Sequence, residues 1–163
     1  VSAHPSNRTE GLEPVRDAVA AVASKLGRPL RLLLGKPGLD GHSNGAEQIA
    51  ARARDCGIEI TYDGIRLTPA EIVAAAAQRQ PDVIGLSILS GSHLPLIRET
   101  LDLLVEAGLS HTPLVVGGII PDEDAKTLAA MGVTKVYTPK DFQLNRIMLD
   151  LVALADPAAV AAA

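Results

Sequence analysis

Short apolar segments alternate with segments of helical spacing along most of the chain. The predicted strands are Leu30–Leu34, Ile58–Tyr62, Val83–Leu86, Leu114–Val116 and Val133–Tyr137, and the predicted helices are Ala46–Asp55, Pro69–Gln78, Pro95–Glu106, Asp122–Ala130 and Phe142–Leu154. Strands that are apolar throughout are typical of parallel sheets covered by helices on both faces. The pattern therefore predicts a doubly wound α/β domain whose five parallel strands have the flavodoxin-like order 2-1-3-4-5.

The two ends of the chain lie outside this alternation. Residues Val1–Gly11 carry no periodic signal and are expected to form a mobile terminus. Apolar residues at helical spacing then predict one helix over Leu12–Leu26, with Gly27 as its C-cap. The expected organisation is a terminus and linker helix (residues 1–28), one α/β domain (residues 29–155) and a fraying tail (residues 156–163).

Composition narrows the classes of partner. The 163 residues fit one domain, and 47% hydrophobic and 21% charged residues are typical of a globular protein. Aromatic residues make up 2% of the chain, which argues against a stacking platform for single-stranded nucleic acid. The net charge of −4 argues against binding a phosphate backbone. A single cysteine, and the lack of a signal peptide or membrane-length apolar segment, predict a cytoplasmic protein without membrane contact.

The loops after the predicted strands are the expected binding region, because ligands of doubly wound sheets bind beyond the carboxyl ends of the strands. These loops are Gly35–Gly45, Ser87–His93, Gly117–Asp122 and Thr138–Asp141. The first loop lacks the G-x-G-x-x-G spacing of a dinucleotide site and the Gly-Lys-Ser/Thr of a P-loop. A phosphoacceptor receiver domain would need acidic residues directly after the first strand and an aspartate at the end of the third, where this chain has Leu34-Gly35 and Ser87.

The first loop holds a candidate metal ligand. Asp40 precedes His42 by two residues, so its carboxylate can accept a hydrogen bond from one imidazole nitrogen. The other nitrogen is then held as an electron-pair donor to a metal. Lys36 is near enough in the sequence to pair with Asp40. A surface histidine with a chance acidic neighbour is the alternative, and these residues alone leave both open.

Three motifs follow one another on three successive loops of the predicted binding region. They are Asp40-x-His42-x-x-Gly45, Ser87-x-Leu89 and Gly117-Gly118. Together they resemble the cobalamin-binding, Rossmann-like domain that binds its cofactor with the lower base displaced. The resemblance is strongest to the C-terminal domain of adenosylcobalamin-dependent acyl-CoA mutases, the methylmalonyl-CoA mutase family, and it covers Leu30–Leu154. The segments Gly38–Gly45 and Tyr137–Phe142 resemble the ethylmalonyl-CoA branch of that family.

The resemblance implies a role for each matching residue. His42 would donate the lower axial nitrogen to cobalt in place of the cofactor's dimethylbenzimidazole, with Asp40 and Lys36 completing a relay. The displaced nucleotide tail would enter a slot beside the sheet. The residues expected to contact the cofactor are Gly41, His42, Ser43, Asn44, Gly45, Ser87, Leu89, Gly91, Gly117, Gly118, Tyr137 and Thr138. Ordinary strand and turn packing is the alternative for those in the last three loops.

The implied function is binding of adenosylcobalamin in the base-off/His-on mode, as the cofactor domain or small subunit of an acyl-CoA mutase. Such a mutase is an isomerase that rearranges a carbon skeleton by radical chemistry. In this family the acyl-CoA lies in a separate (β/α)₈ barrel, which needs about 200 residues or more and does not fit in this chain. We therefore expect the chain alone to bind cobalamin without turning over acyl-CoA.

Three alternatives stay open at this point. One is a separate small subunit of a hydroxyisobutyryl-CoA-type mutase. Another is a corrinoid methyl-carrier protein, which the single helix before the sheet disfavours because such carriers usually begin with a helical bundle. The third is a flavodoxin-like module that binds no cobalamin, and the scarcity of aromatic residues argues against a flavin there.

Overall fold

Five parallel strands form one sheet in the order β2-β1-β3-β4-β5, which confirms the predicted doubly wound topology. The computed structural model describes residues 4–35, 44–62, 68–88, 94–141 and 143–158, with side chains described from residue 11 and, in the second range, from residue 45. The strands are β1 (Arg31–Gly35), β2 (Glu59–Thr61), β3 (Val83–Ile88), β4 (Leu114–Gly118) and β5 (Lys135–Tyr137). The helices are α1 (His4–Leu26), α2 (Asn44–Cys56), α3 (Pro69–Arg79), α4 (Leu94–Glu106), α5 (Asp122–Met131) and α6 (Leu144–Ala155).

Both faces of the sheet carry apolar side chains, because successive residues of a strand point to opposite faces. Leu33 and Val116 belong to the core beneath α3, α4 and α5. Leu32 and Val115 belong to the core on the other face, which α1, α2 and α6 cover. Because all five strands are parallel, their carboxyl ends, after which the predicted binding loops follow in the sequence, lie at one end of the sheet.

Helix α1 begins earlier than the sequence predicted, at His4 rather than Leu12. The segment before Leu12 has no apolar stripe, so periodicity gave no signal there, whereas Pro5 is compatible with the first turn of a helix. Pro14 lies inside the helix. The apolar stripe of α1 packs against α6, where Val15 and Val19 are buried.

An ion pair fixes the connection between α1 and the sheet. Asp82 accepts two hydrogen bonds from the Arg28 guanidinium, at 2.8 and 2.7 Å, and one from the backbone N–H of Arg31 at 2.8 Å. The hydrogen bond to Asp82 is the main reason why the pKa of Arg28 lies above its ordinary value. Within the described ranges, no helix is both long enough and apolar enough to cross a lipid bilayer.

Candidate functional site

A cavity of about 490 Å³ lies between the sheet and helices α2 and α6, and it extends to the carboxyl ends of the strands. Leu32, Leu34 and Val115 form its base on the sheet. Ile49 of α2 and Ile147 of α6 line its sides. This is the end of the sheet where the sequence predicted ligand binding.

Small residues on adjacent strands leave the space for this cavity. Gly85 of β3 pairs in register with Leu34 of β1 and with Val115 of β4. One level further along the same face, Ser87 pairs with Gly117. Buried parallel strands usually carry branched apolar side chains at such positions. Three small residues next to one another therefore open the sheet surface to a ligand.

Protein packing explains only one of the two glycines that end β4. A Cβ on Gly118 would lie 1.6 Å from the carbonyl oxygen of Ile88, and the φ of Gly118 is +146°, so this position requires glycine whether or not a ligand is bound. A Cβ on Gly117 would lie 3.6 Å from the Cβ of Tyr137, which is ordinary van der Waals contact. Protein packing therefore explains Gly118 but does not explain Gly117.

Thr138 and Asp141 form a closed turn at the rim of the cavity. Thr138 donates to one Asp141 carboxylate oxygen twice, from its backbone N–H at 3.1 Å and from its hydroxyl at 2.8 Å. These two bonds hold the pKa of Asp141 below its ordinary value. These bonds fix the Thr138 side chain against the loop that follows β5. Thr138 is buried, at 7% exposed.

The described lining has one titratable side chain, that of Tyr137. Burial, followed by its hydrogen bond to Asp150, raises the pKa of Tyr137 far above the ordinary value, so the hydroxyl remains protonated near neutral pH. Within the described ranges, no group of three or more His, Cys, Asp and Glu side chains could hold a metal ion.

The structure brings six of the predicted contact residues together around this one cavity. They are Gly45, Ser87, Gly117, Gly118, Tyr137 and Thr138. Seven further predicted residues lie outside the described ranges, and these are Lys36, Asp40, Gly41, His42, Ser43, Leu89 and Gly91. Asn44 begins α2, and its side chain is likewise outside the description.

Some lining residues escaped the sequence analysis. Gly85 gave a usable signal, because a glycine inside an apolar strand marks a close approach to that strand. Ile119 lines the cavity and is 61% exposed, but nothing in the sequence separates it from buried isoleucines. Ile147 and Leu151 of α6 also gave no signal, since their spacing is that of any core-facing helix.

The sequence of the chain is similar to those of known proteins. The family model of the B12 binding domain matches residues 30–141. The chain is 68% identical over 162 residues to the ethylmalonyl-CoA mutase of Cereibacter sphaeroides, a match that covers 99% of this chain and 25% of the relative. It is 60% identical over 146 residues to the ethylmalonyl-CoA mutase of Methylorubrum extorquens, covering 90% of this chain and 21% of the relative. The chain thus spans about a quarter of these relatives or less.

A shorter relative is matched over most of its own length. The 2-hydroxyisobutanoyl-CoA mutase small subunit of Aquincola tertiaricarbonis is 42% identical over 108 residues, which is 66% of this chain and 79% of the subunit. Among solved structures, a cobalamin-binding protein from Desulfitobacterium hafniense superposes with a TM-score of 0.65 at 22% identity, over 88% of this chain and 70% of that one. That identity supports the fold alone, while the sequence matches confirm the resemblance predicted from the three loop motifs.

Proposed function

The chain belongs to the B12-binding domain family, and we propose that its cavity takes the nucleotide tail of cobalamin while the corrin ring lies across the carboxyl ends of the strands. The observation that carries this proposal is the set of small residues Gly85, Ser87 and Gly117, which opens an apolar cavity against the sheet. A volume of about 490 Å³ lies in the range of about 300–1,000 Å³ typical of small-ligand sites. Leu32 and Leu34 suit a flat aromatic base removed from water.

We further propose that His42 is the axial ligand to cobalt, in the base-off/His-on mode. Support comes from the Asp40-x-His42 spacing and from the ends of its loop. The strand before the loop ends at Gly35, next to the lining residue Leu34, and the helix after it brings Gly45 to the cavity. Asp40 would accept a hydrogen bond from the N–H of the other imidazole nitrogen, and Lys36 would pair with Asp40. Such a partner orients the imidazole and raises its basicity.

The whole protein to which this domain contributes is proposed to be an acyl-CoA mutase of the ethylmalonyl-CoA type. The identity of 68% to one such mutase supports this reaction class. Adenosylcobalamin, when bound, supplies the carbon radical that starts a skeletal rearrangement. The described residues of this chain would hold the tail and exclude water from it, and a (β/α)₈ barrel would bind the acyl-CoA over the other side of the corrin.

A second candidate is a separate small subunit that works with a larger one. The match to 79% of the 2-hydroxyisobutanoyl-CoA mutase small subunit favours it, because a domain of this size is the greater part of that subunit. The cofactor-binding proposal is the same in both cases. The two differ in whether the barrel lies on the same polypeptide.

The test of the axial ligand is the visible spectrum of the chain mixed with cobalamin. We expect the wild-type spectrum to show the lower base replaced by a protein histidine, and His42→Ala to lose that spectrum while keeping its circular dichroism. His111→Ala is the matched control, because His111 lies in the turn before β4, at the opposite end of the sheet. Equal spectra for wild type and His42→Ala would remove His42 from the ligand role.

The mutase proposal has a separate test. The purified chain is expected to bind cobalamin and to leave ethylmalonyl-CoA unchanged, whereas addition of a barrel domain or subunit from a relative restores turnover. Turnover by the chain alone would contradict the assignment of the acyl-CoA site to another domain.

A further inference from the structure

Tyr137 belongs to the lining of two cavities. It lines the main cavity and also a second, polar cavity of about 350 Å³ between β5 and α6. The polar cavity is lined by charged side chains that include Lys135, Lys140 and Asp150. Tyr137 itself is 8% exposed. Tyr137 is therefore a buried residue that the apolar cavity and the charged cavity share.

Asp150 of α6 holds the hydroxyl group of Tyr137. The Tyr137 hydroxyl donates to Asp150 Oδ2 at 2.8 Å, and Lys135 Nζ donates to the same oxygen at 3.0 Å. Arg146 Nε lies 3.7 Å from the other carboxylate oxygen. The Asp150 side chain is 16% exposed, so these contacts are partly shielded from water. Two cations compensate the charge of the carboxylate that fixes Tyr137.

The hydrogen bond from the Tyr137 hydroxyl to Asp150 matters because it fixes the orientation of the ring before a ligand binds. A tyrosine hydroxyl needs a hydrogen-bond partner when it is buried, and the polar cavity offers water as the replacement. A ring free to turn toward that water would have to be ordered again each time a ligand filled the main cavity. Ordering a side chain at a binding site weakens the measured affinity. A ring that is already fixed avoids this loss.

We propose that Asp150 is a positioning residue for cobalamin, holding the Tyr137 ring as the wall against which the nucleotide tail packs. The inference rests on the proposed tail-binding cavity. Asp150 lines the polar cavity and is absent from the lining of the main one, so it acts through Tyr137. This role extends the site to α6, where neither the loop motifs nor the family matches assign a residue.

The test compares two corrinoids that differ only in the tail. Dissociation constants are measured for cobalamin and for cobinamide, which has the same ring but no nucleotide. The variants are Tyr137→Phe, Asp150→Ala and the double variant, each checked by circular dichroism. Asp156→Ala is the matched control, because Asp156 follows the last turn of α6 and pairs with Lys25 at 3.2 Å without lining either cavity.

We expect Tyr137→Phe and Asp150→Ala to weaken cobalamin binding about twofold to tenfold, the effect of freeing one side chain, and to leave cobinamide binding unchanged. The double variant should bind cobalamin no more weakly than Asp150→Ala, since phenylalanine at position 137 already lacks the hydrogen bond to Asp150. Equal losses for both corrinoids, additive losses, or no loss would each overturn the positioning role. Wild-type protein that binds both corrinoids equally would instead overturn the tail-binding cavity, and the positioning role with it.

Discussion

Gly85 of β3 and Leu34 of β1 lie side by side in the sheet, and a Cβ on Gly85 would lie 3.3 Å from Leu34 Cδ1. This contact would be tight, but the Leu34 atom belongs to the flexible end of a side chain, which can move aside. The φ of Gly85 is outside the left-handed region, so the backbone there does not require glycine. What a side chain at this position would take away is space in the cavity.

Gly85→Val is expected to keep the fold and to lose cobalamin affinity. Valine is favoured in strands, and its methyl groups would fill the base of the cavity. Overpacking costs about 1–3 kcal/mol, which corresponds to about fivefold to 150-fold weaker binding. The measurement is a spectroscopic titration with cobalamin. Gly85→Ala should give a smaller loss, and a valine variant that binds like wild type would contradict the position of the tail.

The neighbouring glycines of β4 should respond in opposite ways. Gly118→Ala is expected to destabilise the fold by about 3 kcal/mol, because it combines a strained φ with a collision at the Ile88 carbonyl. Gly117→Ala should stay within about 1 kcal/mol of wild type in the free energy of unfolding, and its loss should appear in cobalamin affinity. Urea unfolding of the cofactor-free chain separates the two. Equal stability of both variants would show that the packing at Gly118 is wrong.

The sequence was sufficient for the topology, because the central strands β1, β3 and β4 are mainly buried and apolar and the helices between the strands have apolar sides. Gly85 and Gly117 show how far that information reaches into the site. Both are visible as glycines in or at the end of apolar strands, yet their place on the same face depends on register, which sequence spacing alone does not fix.

The contact between α6 and Tyr137 could not be predicted from the sequence. Asp150 follows Leu149 in an ordinary amphipathic helix, and only the tertiary structure brings it to the Tyr137 hydroxyl. The start of α1 was missed for a different reason. A helix with no apolar stripe in its first turns gives no periodic signal, so the sequence predicts the helix from Leu12, whereas it begins at His4.

Ile119 and Val105 are apolar residues of nearly equal exposure, at 61% and 63%. Ile119 lines the cavity, whereas Val105 does not. If cobalamin covers the rim of the cavity, Ile119→Ser removes apolar contact with the cofactor and should weaken binding about fivefold or more. Val105→Ser on α4 makes a similar polar change away from the cavity and should leave affinity unchanged. Isothermal titration of both variants is the measurement. Equal effects at the two positions would show that Ile119 does not contact the cofactor.

Acid should remove the contribution that the ionised Asp141 carboxylate makes to its turn. The folded pKa of Asp141 is lowered by its two hydrogen bonds from Thr138, so its stabilisation is present above the ordinary aspartate pKa of about 3.9 and is lost as pH falls through the lowered value. Asp141→Asn should therefore be less stable than wild type at pH 7, with a difference that shrinks below about pH 4. Urea unfolding across this range measures it. Asp102→Asn, at an exposed position of α4, controls for the change in net charge. A difference that is constant with pH would show that the ionised carboxylate does not support the turn.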